Sequence, residues 1–379
     1  MSFCQHRACR PPDRIHVKNG TTKSFVFEAS EMIQHHKLVR FIAIVVCLLS
    51  QQVRADDKPV SILAERISGH IHPSICRASD GTLVVIFKGA NVLMCSRSSD
   101  LGSTWSSPSP ISTSAKRPAM IREVKKCEVY PGTADTLPDG RILVTWNYIA
   151  DDKSRDGYYE RALLYTLSED RGQTWSEQQL IGPVDGKQLG AVRHNVLLWS
   201  SGRWLLPLRT GGPRLFEPQT GLLTSYPLMG PDGIQHEFQQ IVRTATGSLL
   251  AMGPVLLHST DNGLNWTLVD GFPAVPDKRD NAEGRYLTTL SDGRVLVTWG
   301  RGNNNRGLSY NLSTDGGQTW NVQRTKILLP ETPVTARYYS ARTIQIDNKN
   351  IGTVFMNSDG IHFLKVPLER LSHPLSEDE

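Results

Sequence analysis

An eight-residue pattern, Ser-x-Asp-x-Gly-x-Thr-Trp, occurs four times in this chain. The copies are Ser98 to Trp105, Ser168 to Trp175, Ser259 to Trp266 (with Asn265 for Thr) and Ser313 to Trp320. A second unit, a tight turn feeding an apolar strand, runs from Asp80-Gly81 to Phe87. It recurs from Asp139-Gly140 to Trp146 and, almost verbatim, from Asp292-Gly293 to Trp299. Weaker copies start at Ser201-Gly202 and Thr246-Gly247, and Asn348 to Phe355, with Gly352, makes a sixth. Six such units over about 300 residues give a period near 50 with no long amphipathic helix between them. The spacing predicts an all-β chain folded as a six-bladed β-propeller, each unit supplying one four-stranded blade. A β-sandwich would not reuse one turn six times. Within the eight-residue pattern the Asp is expected to hydrogen-bond backbone N–H groups of its own turn, and the Trp to pack between strands.

Composition removes several function classes. The 42 Lys and Arg exceed the 37 Asp and Glu, but eight of the bases and three of the acids fall before Asp56, leaving 34 of each from Asp56 onward. A neutral body gives no argument for nucleic acid or anionic lipid as partner. In the first 55 residues, His35-His36-Lys37-Leu38-Val39-Arg40 precedes the apolar run Phe41 to Leu49, and Val53-Arg54-Ala55 offers a small-residue cleavage site. This reads as a secretory signal peptide within a 1–55 leader, so 56–379 is the propeller and a secreted or periplasmic location is expected. The apolar run is far short of the ~20 residues a spanning helix needs, so no stable membrane insertion is expected after cleavage. Met32, just upstream of the basic segment, reads as the true start. Bulky Val46 argues against a lipid anchor on Cys47. Cys76, Cys95 and Cys127 lie in the body without CxxC spacing, which signals neither zinc nor a disulfide framework; Cys76 and Cys95, in neighbouring strands, are read as two buried thiols rather than a pair. The sequons at Asn265 and Asn311 overlap the eight-residue pattern and carry no weight.

In a propeller, the residues just before each inner strand surround one axial mouth. About 8–12 positions before each turn these windows hold His70, Ile71, His72 and Pro73; then Glu128 and Tyr130; Arg193 and His194; His236 and Glu237; Asp280, Glu283 and Arg285; and Arg337, Tyr338, Tyr339 and Arg342. Polar, charged and aromatic groups thus occupy one register of all six repeats, where candidate functional residues belong.

The eight-residue pattern resembles the Asp-box, the bacterial neuraminidase repeat of the sialidase superfamily, and the resemblance extends from Asp56 to the end. It implies a glycoside hydrolase acting on acidic sugars such as terminal sialic acid, with the Asp-boxes on the rim away from the site. The expected chemistry is specific. Several arginines bind the substrate carboxylate bidentately. A tyrosine replaces the usual carboxylate nucleophile, and a Glu must take its proton, since a free phenol has a pKa near 10. Tyr339-Ser340, followed by Asp347 to Phe355, resembles the last-blade segment carrying the nucleophile, which makes Tyr339 the candidate. Glu237 stands where its partner is expected, with Glu283 in reserve. Arg306 resembles the arginine that precedes the fourth box, with Arg301 close enough to compete.

The departures are also specific. Where an Arg-Ile-Pro segment would supply the first arginine, this chain has Ile71-His72-Pro73, and the loop Lys88-Gly89-Ala90-Asn91 lacks the acid/base Asp. No Arg follows the Glu237 repeat at Met252-Gly253-Pro254. Arg193, Arg285, Arg337 or Arg342 could substitute, and His70 or His72 could donate the proton. Tyr339, Glu237, Arg306, Arg285 and Arg337 are therefore the expected catalytic set, and His70, His72, Arg193, His236, Glu283 and Arg342 the expected substrate-binding set. Two alternatives remain: a non-catalytic propeller binding glycan or protein at the same mouth, and a hydrolase of neutral polysaccharide using two carboxylates, Glu237 with Glu283 or Glu128. No nucleotide, haem or zinc motif occurs and no cofactor is expected; a structural Ca²⁺ at turns such as Asp347-Asn348 is left open.

Overall fold

The strand Leu83-Val-Val-Ile-Phe-Lys88 is buried along its whole length, and that single fact implies a sheet covered on both faces. Side chains alternate across a strand. Leu83, Val85 and Phe87 accordingly pack toward one neighbouring sheet, while Val84 and Ile86 pack toward the other. The computed structural model that reveals this describes residues 58–65, 72–152, 158–182, 189–192, 194–199, 202–208, 212–231, 233, 238–273, 284–300, 307–330, 339–357 and 359–371.

The chain forms six four-stranded antiparallel sheets arranged as the blades of a β-propeller. Blade one contains β2 (Ser74–Arg77), β3 (Leu83–Lys88), β4 (Leu93–Ser98) and β5 (Ser109–Ile111). Blade two contains β6 (Cys127–Thr136), β7 (Ile142–Asp152), β8 (Tyr158–Ser168) and β9 (Gln179–Gly182). Blade three contains β10 (Leu197–Leu198), β11 (Trp204–Leu206), β12 (Arg214–Glu217) and β13 (Leu222–Ser225). Blade four contains β14 (Gln240–Arg243), β15 (Leu249–Met252), β16 (Leu256–Ser259) and β17 (Thr267–Leu268). Blade five contains β18 (Arg285–Thr289), β19 (Val295–Trp299), β20 (Leu308–Ser313) and β21 (Lys326–Leu329). Blade six contains β22 (Tyr339–Gln345), β23 (Asn350–Asn357) and β24 (Gly360–Pro367), and its outer strand is β1 (Val60–Leu63) from the other end of the chain. Val60 pairs with Phe363 and Leu63 with Ile361.

Six hydrophobic clusters fill the six junctions between blades. The one between blades one and two contains Val84, Ile86, Ile142, Val144 and Trp146; the one between four and five contains Leu250, Met252, Val295 and Val297. Around the axis, each inner strand, or for blade three the segment just before it, is joined to its neighbours by a hydrogen bond from or to a side chain. Ala134 N donates to Ser74 Oγ at 2.9 Å, Val196 N to Asp135 Oδ2 at 2.9 Å, and Asn195 Nδ2 to Ile241 O at 3.0 Å. Gln240 both donates to Leu287 O (2.8 Å) and accepts from Leu287 N (2.6 Å); Thr288 Oγ1 donates to Thr343 O at 2.6 Å. Arg342 Nη1 closes the circle on Ser74 Oγ at 2.7 Å. These bonds satisfy polar groups that ring formation takes from water.

The four eight-residue repeats form the turns between third and fourth strands of blades one, two, four and five, with one geometry. In the first, Ser98 Oγ donates to Asp100 Oδ1 (2.8 Å) and accepts from Gly102 N (2.8 Å), while Thr104 donates to Asp100 through both N (2.9 Å) and Oγ1 (2.6 Å). Where Asn265 replaces the Thr, its side-chain amide donates to Asp261 Oδ2 at 2.7 Å in place of the hydroxyl. The Thr104 hydroxyl and amide hold the Asp100 carboxyl down at about 2, and the Asn265 backbone and side-chain amides do the same to Asp261. The repeat Asp is thus an ionised turn acceptor at neutral pH.

Five of the six expected turn glycines lie in inner hairpins in the left-handed region, from Gly81 at φ 93° to Gly293 at φ 91°. The sixth does not. Gly352 lies inside β23, paired with Ile344 and Lys365. The turn is made instead by Asp347, whose Oδ1 accepts from Lys349 N and Asn350 N, both at 2.7 Å. Cys76 and Cys95 are buried free thiols. Burial pushes both thiols up, Cys95 to about 12.

Two glycines separate backbone strain from close approach. At Gly293 (φ 91°) a Cβ would meet nothing, whereas at Gly102 (φ 86°) it would overlap the Phe363 ring of blade six. Gly293→Ala is expected to cost about 1–2 kcal/mol. Gly102→Ala should cost at least about 3 kcal/mol, because overpacking adds to the strain. Denaturant unfolding of the two variants measures both, and equal losses would contradict the packing assignment.

Candidate functional site

The six inner strands start at one end of the axis, and their hairpin turns lie at the other. At the starting end, His72 just precedes β2 in the left-handed region, with φ 34°. A non-glycine residue there is strained, and such strain collects at functional sites. The His72 Nε2 lies 3.2 Å from the Tyr130 hydroxyl of β6, with ring centroids 5.5 Å apart. Beside this pair, Lys88 at the end of β3 forms an ion pair with Glu128 near the start of β6. The Lys88 side chain is 7% exposed and that of Glu128 36%, so the carboxylate is the member open to solvent. Blade one therefore offers a histidine and an ion-paired lysine where a carboxylic acid was looked for.

Arg285 and Arg342 were both expected to face an anionic substrate, and both have guanidinium groups already engaged by the protein. Arg285, 3% exposed, donates from Nη1 to Pro273 O at 2.9 Å and from Nη2 to Gly253 O at 2.7 Å. Its Cζ lies 4.9 Å from the Phe272 ring centroid, a cation–π arrangement. Burial lowers its pKa to about 10, which leaves it charged at neutral pH. Arg342 reaches across the channel: beyond Ser74, it donates to His194 O at 3.3 Å and Gly132 O at 3.1 Å. One side chain of blade six thus contacts blades one and two and the segment leading into blade three. Tyr339 opens β22, paired with Met356 immediately before a register shift. His70, Arg193, His236, Glu237, Glu283, Arg301, Arg306 and Arg337 lie outside the described residues.

Deeper in the channel, Arg342 and His194 join a cluster with Asp135 and Tyr286, neither of which the register windows contain. Asp135 of β6 accepts from Val196 N, and its carboxyl lies near enough to Arg342 and Tyr286 to influence their charges. Burial raises it to about 7, against the lowering effects of the Val196 amide, the Thr133 hydroxyl and the Arg342 charge. Burial likewise raises the Tyr286 phenol, reinforced by Asp135. His194 packs edge-on against Tyr286 with centroids 5.5 Å apart. The available signal was a charged residue inside the inner-strand segment Thr133-Ala134-Asp135-Thr136, past the window searched.

Among the described residues, no group of three or more His, Cys, Asp or Glu is placed to hold a metal ion, and no helix is long and apolar enough to cross a membrane. Both oxygens of Asp347, in the turn where a structural Ca²⁺ was left open, accept from Asn350 Nδ2 at 3.0 and 2.9 Å.

Asp135 makes a testable contribution to pH dependence. Its folded pKa lies above the unfolded value, so the folded protein keeps a proton that the unfolded chain releases. The stabilisation is complete below about pH 4 and is lost as pH rises toward about 7. Thermal unfolding of wild type and Asp135→Asn across pH 4–8 should show the variant gaining on wild type through that window. Parallel curves would rule out the titration.

No family model matches the chain, and no curated protein matches it either. Solved structures do. A Dyadobacter fermentans protein of unknown function is 15% identical with a TM-score of 0.57, the match covering 82% of this chain and 99% of the other. The intramolecular trans-sialidase of Ruminococcus gnavus, solved with oseltamivir carboxylate, is 11% identical at TM-score 0.57, covering 85% and 100%. The Hadza microbial sialidase Hz136 is 16% identical at TM-score 0.55, covering 82% and 69%. At such identities the likeness is one of fold: this chain is a six-bladed β-propeller of the kind that sialidases use.

Proposed function

We propose that this protein is a secreted sialidase-fold glycoside hydrolase that cleaves a terminal acidic sugar such as sialic acid, with a rewired first blade. The observation that carries this reading is His72, held in a strained backbone conformation at the axial mouth with its ring against the Tyr130 hydroxyl. In this scheme the Tyr339 oxygen attacks the anomeric carbon while Glu237 takes the phenolic proton. His72 protonates the departing glycosidic oxygen as that bond breaks. Water then attacks the tyrosyl intermediate, giving its proton to His72, and Tyr339 leaves with the proton returned by Glu237. Arg193, Arg306 and Arg337 bind the substrate carboxylate, with His70, His236 and Glu283 around the sugar. Arg285 and Arg342 shape the mouth through the backbone carbonyls they hold.

The same two arginines favour a second reading. Guanidinium groups already committed to protein carbonyls leave fewer forks for a carboxylate, as suits a mouth that binds glycan without cleaving it.

Hydrolysis of a fluorogenic sialoside by the chain from Asp56 separates the two. Turnover is expected in wild type, with a loss of at least about 10²-fold in Tyr339→Phe, Glu237→Ala and His72→Ala. A folded wild type that binds sialosides without turnover selects the binding reading. Turnover unaffected by His72→Ala removes the proton-donor assignment alone.

A further inference from the structure

The eight-residue turns act as wedges between blades; blades three and six lack one, and only at blade six does another element take its place. Each repeat packs against the blade before it. Gly102 of blade one abuts Phe363 of blade six, Gly172 of blade two meets Cys95 and Val84 of blade one, Gly263 of blade four meets Tyr226 beyond β13, and Gly317 of blade five meets Leu250 of blade four. The repeat tryptophans Trp105, Trp175, Trp266 and Trp320 join the same four junction clusters. Blade six has no such turn, because β1 comes from the other end of the chain. Its junction with blade five is filled by a 3₁₀ turn, Leu368–Leu371, which buries both leucines. Blade three turns from β12 to β13 through Pro218-Gln219-Thr220-Gly221 and has neither device.

The junction of blades two and three is open where a wedge would sit, as a groove of about 500 Å³. That size is within the ordinary range for small-ligand sites. Tyr165, Trp204 and Leu167 form apolar wall, and Arg141, Asp139 and Gln219 stand around it. Tyr165 is 7% exposed and packs edge-on against Trp204, and its hydroxyl has no hydrogen-bond partner among the described residues. The Gln219 amide reaches over Gly202. Arg141 and Asp139 neutralise each other at 2.6 Å. The matching Arg294–Asp292 pair of blade five has its arginine 17% exposed, against 39% for Arg141. The same sequence motif is therefore more open to solvent at the unwedged junction.

We propose that this groove is a binding site for a neutral carbohydrate, on the turn face and apart from the axial mouth. Pyranose rings present C–H surface to apolar and aromatic walls and hydroxyls to fixed donors and acceptors, and this groove offers both without net charge. A wholly apolar ligand would leave Tyr165 and Gln219 unpaired. An anion would meet Asp139, with Glu169 also near Arg141. The site would hold a glycan substrate or its host surface while the mouth works elsewhere on it, but its existence does not depend on the mouth being catalytic.

Titration of the chain from Asp56 with lactose and cellobiose, and of its Tyr339→Phe variant with the same sugars and with 3′-sialyllactose, which that variant leaves intact, followed by tryptophan fluorescence and indole NMR shifts, tests the proposal. At least one neutral disaccharide should saturate with a dissociation constant on the order of 1 mM. Gln219→Trp, which fills the groove from an exposed turn, should weaken it at least about tenfold. Tyr165→Phe, which keeps the ring, should weaken it by a few-fold. Binding should be unchanged in Tyr339→Phe, which separates the groove from the mouth. No saturation up to about 50 mM, affinity unaltered in Gln219→Trp, or tighter binding of the sialylated sugar through the groove would each overturn it.

Discussion

The pairing of β1 with β24 is the interaction on which the rest of the molecule depends. A ring of blades has no intrinsic closure: six sheets in a row would leave an unpaired edge on the last blade and an uncovered apolar face at each end. Val60, Ser61 and Leu63 supply the outer strand of blade six, so the two ends of the described chain share one sheet. The cluster between blades six and one, which includes Ile62, Ile75, Phe87, Val354 and Phe363, exists only when that ring is shut. Closure then fixes the axial hydrogen bonds, because Arg342 can reach Ser74, Gly132 and His194 O only when blade six stands beside blade one.

Closure also explains why repetition is local. The Asp-centred turn rebuilds itself with the same bonds around Asp100, Asp170, Asp261 and Asp315, since its partners all lie within four residues. Even Asn265 fits, because an amide supplies the donor that the Thr hydroxyl gives elsewhere. What each turn touches differs from blade to blade, because the neighbour was never part of the repeat. The blade-three exception leaves a groove, and the blade-six exception is covered by Leu368 and Leu371.

The fold was legible because propeller strands carry two periodic signals together: a turn with a left-handed glycine, and a run such as Leu83 to Phe87 that must be apolar on both faces. Gly352 shows the limit of pattern matching. It falls near the right spacing, but the turn there is made by Asp347 side-chain acceptance, so the glycine serves strand packing beside Phe363. The site was less legible. Counting back from the turns brought His72, Glu128, Tyr130, Arg285 and Arg342 into one register, yet it did not say which guanidinium groups the protein would occupy itself. Asp135 was missed because its chemistry arises from burial beside blades three, five and six.

By itself the sequence determined the repeat count, the all-β architecture and the structural role of the four Asp turns, since each follows from residues close in the chain. Tertiary structure alone decided that Arg285 and Arg342 are bound by carbonyls, that Lys88 pairs with Glu128, that Asp135 titrates near neutrality, and that one junction is left unwedged. Each of these depends on which blade stands beside which, with partners such as Gly253 for Arg285 and Gly132 for Arg342 lying 32 and 210 residues away. No local pattern encodes that distance; the closed ring does.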